Sequence, residues 1–192
     1  MPKLSPVKLA ERRDHILTAA LHCFEKHGFS ATSVDVICAE GKISKGAFYT
    51  HFESKDKLIE SLLQRRGQAI ALRAKSRESF GAEIVENFFA DGLTSSRGRL
   101  ELEAIAASAS SPALRALMSE NLQLISDQLA DGLQNLELSG VLKLRENPED
   151  IAEIIRCFVL GKVVVNVVHP DCSADEIVHS IDVLIRSLSE SL

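Results

Sequence analysis

Apolar residues recur at intervals of three and four positions along nearly the whole chain, which is the spacing of an α-helix. In the last segment, Ile177, Ile181, Ile185 and Leu188 share one helical face. No pair of segments shows the alternation of apolar and polar residues that indicates strands, although the β-branched run 163–168 conflicts locally with helix propensity. The chain is therefore predicted to be all-α.

Helix caps and breakers divide the chain into nine predicted helices. Ser33, Ser44, Ser54 and Asn147 stand where N-caps are needed, and Ser173 with Glu176 forms a capping box. Gly28 is placed to end the first helix. The predicted helices cover about residues 6–27, 34–40, 45–52, 55–76, 82–93, 97–109, 112–138, 148–169 and 174–188.

Composition excludes several classes of protein. No window of 18 uncharged apolar residues predicts a membrane span, and the N-terminus lacks the apolar segment of a secretory signal, so we expect a cytoplasmic protein. The four cysteines are far apart and form no CxxC pair, which predicts reduced thiols. Walker A, GxGxxG and GxSxG motifs do not occur. We therefore expect no cofactor, no metal and no catalytic residue.

Charge is distributed unevenly between two predicted domains. Residues 1–57 contain nine Lys and Arg against seven Asp and Glu, a balance of +2, whereas residues 58–192 contain thirteen against twenty, a balance of −7. A mildly basic N-terminal module on an acidic body fits a protein that binds phosphate with a few placed cations. The predicted boundary between the domains follows residue 57.

The segment ISKGAFYTHFESKDKL, residues 43–58, contains the least ordinary helix of the chain. Phe48 and Phe52 are four positions apart, which places both on the core face. Gly46 and Thr50 lie opposite them, so the outward face is small and uncharged. A solvated helix normally carries charged residues there, whereas a helix that enters the major groove of DNA benefits from small ones. Close packing inside the protein is the alternative reason for Gly46.

Groups that bind phosphate surround this helix. Lys45, Tyr49, His51 and Lys55 are predicted to reach the DNA backbone, and the hydroxyls of Thr32 and Ser33 would do so from the preceding helix. Taken alone, Tyr49 fits an ordinary surface residue equally well, His51 is more often structural or on the surface, and the lysines are more often part of a solvated face. Two short capped helices joined by a short turn, with this set of side chains, predict a helix-turn-helix.

The string SKGAFYTHFxSKDxL, within residues 12–63, resembles the DNA-binding domain of the tetracycline-repressor (TetR) family of bacterial transcription regulators. The resemblance implies an all-helical homodimer, with an N-terminal helix-turn-helix domain and a C-terminal domain that binds a ligand and dimerises. It also implies a palindromic double-stranded DNA operator and a small-molecule effector. The DNA contacts implied at matching positions are Thr32, Ser33, Ser44, Lys45, Gly46, Ala47, Tyr49, Thr50, His51 and Lys55.

Two positions depart from the family pattern. The turn glycine of the family falls at Lys42 here, because Gly41 stands one place early, so Lys42 is expected to adopt a left-handed conformation or the turn to differ. Asp35 occupies a position where many members carry a base-reading residue such as arginine. A carboxylate there either accepts from cytosine N4 or avoids phosphate, and we expect little attraction to DNA from it.

The helix near residues 148–169 is apolar almost all round and therefore needs cover on several sides. Pairing of this helix and the last helix with their copies predicts a four-helix dimer interface. The alternative is a buried core helix in a monomer. A twofold dimer would place two recognition helices about one DNA turn apart, roughly 34–36 Å or a multiple of it.

The effector is expected in a cavity among the middle helices, where binding would favour the conformer that misfits the operator. Candidate lining residues are Phe88, Phe89, Met118 and Leu122, although a residue of each kind is more often plain core. A metal or redox site at His169, Cys172 and Cys157, or a thiol switch at Cys38, is less favoured than ordinary structural roles.

Three functions compete at this stage. A ligand-responsive repressor is favoured by the helix-turn-helix string, with an activator as an open variant. An enzyme is disfavoured because no nucleophile, base and orienting group cluster in the sequence. An interaction protein that no longer binds DNA is disfavoured because Lys45, Tyr49, His51 and Lys55 are all present.

Overall fold

The computed structural model describes residues 5–66, 72–89, 95–169 and 173–190, and these ranges contain nine α-helices. The described ranges contain no strand, only an isolated antiparallel bridge between Leu144 and Ser189. The all-α prediction is confirmed. The helices are α1 (Pro6–His27), α2 (Val34–Glu40), α3 (Lys45–His51), α4 (Lys55–Arg66), α5 (Arg77–Phe89), α6 (Ser95–Ser108), α7 (Pro112–Leu138), α8 (Pro148–Val168) and α9 (Ala174–Ser187).

Side-chain caps begin the helices where the sequence predicts them. The hydroxyls of Ser33, Ser44 and Ser173 accept hydrogen bonds from backbone amides three positions later, and the Asn147 side chain does the same at α8. Glu176 completes the predicted capping box by accepting from the Ser173 amide at 2.9 Å. Each cap satisfies an amide that has no partner within its own helix.

The boundary between α4 and α5 differs from the prediction. α4 ends at Arg66 instead of continuing towards residue 76, and α5 begins at Arg77 instead of near residue 82. Ser76 starts α5: its hydroxyl accepts from the Ser79 amide at 3.0 Å, and the Ser79 hydroxyl accepts from the Ser76 amide at 3.0 Å. This pair is a capping box in which serine replaces the usual glutamate, which is why the prediction missed it.

The described helices form two compact units. The first unit contains α1 to α4, residues 100–108 of α6 and residues 112–118 of α7. Its helices pack around one apolar core, which includes the predicted core residues Phe48 and Phe52 at 0% and 3% exposure. The core holds α2 and α3 as short helices on α1. Its buried members are Ile16, Leu17, Ala20, Cys23, Phe24, Ile37, Cys38, Phe48, Phe52, Leu58, Ile59 and Leu114.

The second unit contains α5, residues 95–99 of α6, residues 119–138 of α7, α8 and α9. Phe80 of α5 is fully buried, and it approaches α7 at Gly132, where a Cβ atom would lie only 2.5 Å from the Phe80 ring. The predicted apolar stripe of α9 is confirmed, because Ile177, Ile181 and Ile185 are fully buried. This core is separate from that of the first unit.

α8 buries only part of its apolar surface. Ile151 and Ile155 are fully buried in the second core, whereas Ile154 and Val168 are 44% and 66% exposed. None of the described helices combines the length and the apolar character needed to cross a bilayer. The exposed apolar side of α8 is thus left uncovered by the core of its own unit.

The turn between α2 and α3 has the conformation that the sequence analysis expected. Gly41 has an ordinary right-handed φ of −76°, and Lys42 takes the left-handed value of 52°. His15 of α1 contacts the Gly41 carbonyl oxygen through its Nε2 atom at 2.8 Å. A side chain at left-handed φ costs about 1 kcal/mol, so surrounding contacts hold this turn against local strain.

Candidate nucleic-acid interface

α3 is fixed on the first unit by its cap and by its aromatic face. Ser44 begins the helix by accepting from the Ala47 amide at 3.1 Å. Phe48 contacts Phe52 and the ring of Tyr49, with ring centres 5.9 and 5.3 Å apart. The buried phenylalanines fix the rotation of α3 about its axis, so its opposite face is turned to solvent.

The outward face of α3 has the composition that the sequence analysis predicted. Lys45, Gly46, Tyr49 and Thr50 are exposed, with Tyr49 at 54%, and Ala47 and His51 are half-buried. The Thr50 hydroxyl donates to the Gly46 carbonyl oxygen at 2.8 Å, and Tyr49 is the one aromatic side chain on a face whose other uncharged residues are small. Such a surface allows close approach of the helix backbone to another molecule.

Gly46 has no packing reason within the described part of the chain. A Cβ atom built at this residue would meet no atom nearer than Ser44 Oγ, at 3.9 Å. Gly132, by contrast, is crowded by Phe80 and Leu72. Close packing inside the protein therefore does not account for the glycine in α3, and the alternative raised by the sequence analysis does not fit the structure.

Lys45 forms an ion pair with Asp35 of α2, which the sequence analysis did not predict. The Lys45 Nζ atom lies 2.7 Å from Asp35 Oδ1, and the two side chains are 62% and 64% exposed. The hydrogen bond to Asp35, together with its negative charge, raises the pKa of Lys45, so the lysine is cationic. Ser33 is exposed at the start of α2, where its hydroxyl accepts from the Val36 amide at 3.3 Å.

Two of the ten predicted DNA contacts are occupied inside the protein. Thr32 is 1% exposed and donates its hydroxyl to the Gly28 carbonyl oxygen at 2.7 Å, so its side chain does not reach a surface phosphate. Lys55 directs its Nζ atom to the carbonyl oxygens of Phe29 and Thr32, each at 3.0 Å, and lies over the Phe29 ring. Both residues hold the loop between α1 and α2. Sequence spacing alone did not show these long-range partners.

Glu103 of α6 binds the same loop and was not anticipated. Its carboxylate accepts from the backbone amides of Phe29 and Ser30, the latter at 3.2 Å. Gly28, at φ 81°, allows this approach, because a Cβ atom there would lie 2.6 Å from Glu103 Oε1. Carboxylate bonds to backbone amides are among the stronger hydrogen bonds in proteins. The loop before α2 is thus held by groups from both α4 and α6.

The cysteines of the first unit are placed as structural residues. Cys23 and Cys38 are buried, and burial is the main cause that raises the pKa of each thiol. The negative charge of Asp35 raises the pKa of Cys38 further, while Lys45 opposes it. A raised pKa keeps the thiol protonated and unreactive at neutral pH, which disfavours a redox switch at Cys38.

The remaining candidate sites receive no support as catalytic or metal centres. No group of three or more His, Cys, Asp or Glu side chains with metal-binding proximity occurs among the described residues. Cys157 is exposed on α8, and Cys172 lies outside the described residues. The hypothesis of a shared site with His169 therefore gains nothing from the structure.

The predicted effector-binding residues are only partly described. Met118 is buried and Leu122 is half-buried, whereas the side chains of Phe88 and Phe89 lie outside the described residues. A cavity of about 850 Å³ in the second unit lies elsewhere, between the start of α5 and α9. Its lining mixes charged side chains, among them Arg77, Glu78, Asp175 and Asp182, with the apolar side chains of Val141, Leu142 and Val178.

Comparison with known proteins identifies the module that contains this surface. Residues 16–62 match the family model described as bacterial regulatory proteins, tetR family. The HTH-type transcriptional regulator UidR of Escherichia coli K12 is 30% identical over 132 residues, which cover 68% of this chain and 57% of UidR. The HTH-type transcriptional repressor AcnR of Corynebacterium jeikeium is 33% identical over 82 residues, or 43% of each chain. These relatives are regulators, in agreement with the prediction that the chain is not an enzyme.

The same fold extends beyond the matched module. The solved structure of a SmeT–triclosan complex covers 94% of this chain and 93% of its own, with a TM-score of 0.72 at 20% identity. The chain spans 57% of the length of UidR and 43% of AcnR, and only 18% and 19% of two further relatives, the uncharacterized HTH-type regulators YerO and YuxN of Bacillus subtilis. Residues 16–62 thus match the module of the tetR family of bacterial regulatory proteins, and the chain shares the all-helical fold of the solved neighbour.

Proposed function

We propose that the protein is a dimeric, ligand-responsive regulator of transcription, a repressor that a small molecule releases from a palindromic operator. The observation that carries the proposal is the outward face of α3. The centre of this face consists of small, uncharged residues around Gly46. Packing within the described protein does not require a glycine at this position. A surface of this shape suits the major groove, where a helix backbone must come close to base edges.

The proposed DNA-contacting residues are those that the sequence predicted and the surface leaves accessible. Ser33 and Ser44 lie at the starts of α2 and α3, and the remaining contacts lie on α3 itself. Thr32 and Lys55 support binding indirectly, because they hold the loop that leads into α2. The direct contacts proposed are Ser33, Ser44, Lys45, Gly46, Ala47, Tyr49, Thr50 and His51.

We propose that residues 1–57 bind DNA and that residues 58–192 bind the effector and dimerise. Glu103, from the second segment, binds the backbone of Phe29 and Ser30 in the first. A carboxylate in this position allows a change in the C-terminal segment to alter the loop before α2. The SmeT neighbour was solved with triclosan, which supports a small-molecule effector for this chain without naming it.

The exposed side of α8 supports the proposed dimer. Ile154, Cys157, Gly161, Val164 and Val168 are exposed at positions i, i+3, i+7, i+10 and i+14 of the helix. This is the spacing of the seam between two helices that pack side by side. A Cβ atom at Gly161 would meet nothing within 4 Å. The stripe therefore has no side chain at its middle, where the backbone of a second helix would come closest. The proposed occupant is α8 of a second copy.

In this proposal the protein acts in the bacterial cytoplasm and lies on the nucleoid when it is bound to its operator. The dimer presents two copies of α3 to half-sites about one helical turn apart, roughly 34–36 Å or a multiple of it. Effector binding favours the conformer whose spacing misfits the operator. Operator affinity then falls by the difference in effector affinity between the two conformers.

Selection of bound fragments from genomic DNA, followed by fluorescence anisotropy, tests this function. The selected duplex and a scrambled duplex of equal length are titrated over a salt series. We expect a preference of about 10³-fold or more for the selected duplex and a steep loss of affinity with salt. Selection that enriches no sequence, or equal binding to both duplexes, would contradict the proposal.

A further inference from the structure

Asp35 is an acidic residue on the surface that the proposed function presents to DNA. It lies on α2, 64% of its side chain is exposed, and its carboxylate pairs with Lys45 in the first turn of α3. Of the two lysines predicted as DNA contacts, Lys55 is already engaged by backbone oxygens. Lys45 is therefore the predicted lysine contact whose charge is still available to DNA, and the Asp35 carboxylate partly neutralises that charge.

We propose that Asp35 is a specificity-determining residue, which weakens binding to random DNA more than binding to the operator by restraining Lys45 and repelling phosphates. The inference rests on the proposed DNA-binding function. It adds that this negative side chain has a role of its own on the recognition surface, beyond the small attraction to DNA and the avoidance of phosphate expected from the sequence.

The ion pair that restrains Lys45 is weak enough for a DNA phosphate to break it. An exposed ion pair of this kind is favoured over its separated state by only about twofold to fivefold. On the operator, where base contacts by α3 fix the register, Lys45 contacts the DNA without leaving Asp35, whereas on random DNA each phosphate contact that draws Lys45 away begins with this penalty. Binding to random DNA depends almost entirely on phosphate contacts, so it is the mode of binding most sensitive to a restrained cation.

The negative charge of Asp35 adds a dependence on register. A carboxylate held near the DNA backbone is repelled by phosphate unless the protein sits where the side chain falls between phosphates or opposite a donor. The operator fixes one register, in which base contacts by α3 keep the carboxylate in a tolerated place. Random DNA offers many registers, most of which bring it near phosphate. Discrimination by an unfavourable contact in the wrong complexes is an established route to specificity.

Replacement of Asp35 by asparagine keeps the shape of the side chain and removes its charge. Anisotropy titrations of the full-length protein use a scrambled duplex and the selected operator, at about 50 to about 200 mM salt. We expect Asp35→Asn to bind the scrambled duplex about threefold to tenfold more tightly, with a salt slope steeper by about 0.9, because Lys45 now neutralises one more phosphate. Operator affinity should change by less than about twofold, so the preference for the operator falls.

Glu190→Gln is the matched control. It removes one negative charge and breaks another exposed lysine pair, between Lys143 and Glu190 at 2.6 Å, in the second unit. This variant should leave both affinities close to wild type. A gain on scrambled DNA equal to that of Asp35→Asn would show an effect of net charge alone and would overturn the proposal.

Lys45→Met separates the restraint from simple repulsion. In the Lys45→Met background, Asp35→Asn should no longer steepen the salt slope, because the cation that it releases is absent. An unchanged affinity of Asp35→Asn for scrambled DNA would overturn the inference. Loss of operator binding alone would do the same, because it would identify Asp35 as a direct reader of a base. Absence of any preferred sequence for the wild type would instead refute the proposed function, so the two failures are distinguishable.

Discussion

Gly46 shows how one residue can serve a contact that the chain does not contain. It lies in the first turn of α3, exposed, with free space around its missing side chain. Glycine lowers helix stability relative to alanine by roughly 0.5–1 kcal/mol, so the chain accepts a small loss of stability at this position. The proposed DNA interface explains that loss, because a methyl group on α3 would separate the helix backbone from the base edges.

Gly46→Ala should therefore separate stability from DNA binding. We expect the free energy of unfolding to rise by about 0.5 kcal/mol in denaturant titrations, because alanine favours the helix and fits the free space. Operator affinity should fall by about tenfold or more, which corresponds to about 1.4 kcal/mol. Because the variant is expected to be more stable than the wild type, unfolding cannot explain its loss of operator affinity. An alanine variant that binds the operator like wild type would contradict the placement of α3 in the groove.

Lys42 carries the strain of the turn between α2 and α3. Its left-handed φ of 52° is unfavourable for any residue with a Cβ atom, and glycine removes that cost. We expect Lys42→Gly to raise the free energy of unfolding by up to about 1 kcal/mol. Lys42→Ala removes the same charge but keeps the Cβ atom, so it should give no such gain in stability. Thermal and denaturant unfolding of both variants measures the difference. Equal changes in the free energy of unfolding for the two substitutions would contradict backbone strain at Lys42.

The residues of the interface were predictable from sequence to different degrees. Gly46 and Tyr49 were placed correctly because helical periodicity, with Phe48 and Phe52 in the core, fixes which face of α3 points outward. The burial of Thr32 was not predicted because its partners are carbonyl oxygens earlier in the chain, and this burial depends on how the loop folds back. The spacing of residues within one helix does not predict contacts that depend on the tertiary fold.

At the scale of elements, the loop before α2 is supported from outside the helix-turn-helix. Lys55 of α4 binds its carbonyl oxygens, and Glu103 of α6 binds its amides. The loop therefore has donors and acceptors satisfied by two separate helices, and it sets where α2 begins. Ser33, which caps α2, directly follows this supported segment. A displacement of α6 would consequently move the start of α2, and in the proposed function this is the route by which an effector alters DNA binding.

Glu103→Ala should loosen this loop. Loss of two hydrogen bonds from a charged acceptor should lower the free energy of unfolding by about 2 kcal/mol, and hydrogen exchange at the Phe29 and Ser30 amides should accelerate. Operator affinity should fall as well, because the start of α2 is less well defined. Glu103→Gln keeps an acceptor oxygen and should fall between alanine and wild type.

Glu120→Ala is the control for Glu103→Ala, because Glu120 is an exposed glutamate of α7. Its replacement should leave stability and the exchange of the two amides close to wild type. Unchanged exchange at Phe29 and Ser30 in Glu103→Ala would show that α6 does not hold the loop.

The helices themselves were largely predictable, since each cap is a local signal. Ser44, Asn147 and Ser173 begin α3, α8 and α9 as expected. The start of α5 was missed because a serine pair imitates a capping box that is usually recognised by its glutamate. Local chemistry thus predicts boundaries well, except where an unusual residue performs a familiar role.

At the scale of the whole molecule, the proposed function depends on an apolar surface of α8 that a single chain leaves exposed. The stripe on α8 runs through Ile154, Gly161 and Val168, and its apolar members are 44% to 66% exposed. Sequence analysis predicted that α8 needs cover on several sides, and the fold covers only the side that faces the second core. A second copy covers the remaining side in the proposed dimer, and it also sets the distance between the two recognition helices.

Gly161→Leu tests this surface without disturbing the monomer. A leucine side chain has free space at Gly161 within the described chain and is favoured over glycine in a helix. It would obstruct the close approach of a second α8, so sedimentation equilibrium should show a dimer weakened by about tenfold or more, or about 1.4 kcal/mol. Operator affinity should fall with it, because two half-sites bound by linked subunits reinforce each other.

Gln134→Leu supplies the comparison, since it adds the same side chain at an exposed position of α7, outside the stripe on α8. It should leave the dimer and operator affinity unchanged. If Gly161→Leu dimerises as tightly as wild type, the copies do not meet along this side of α8. If it weakens the dimer but leaves operator affinity intact, the subunits bind their half-sites independently, and the link between dimer geometry and operator recognition is lost. Loss of both together is the result expected of a repressor whose two recognition helices are spaced by α8.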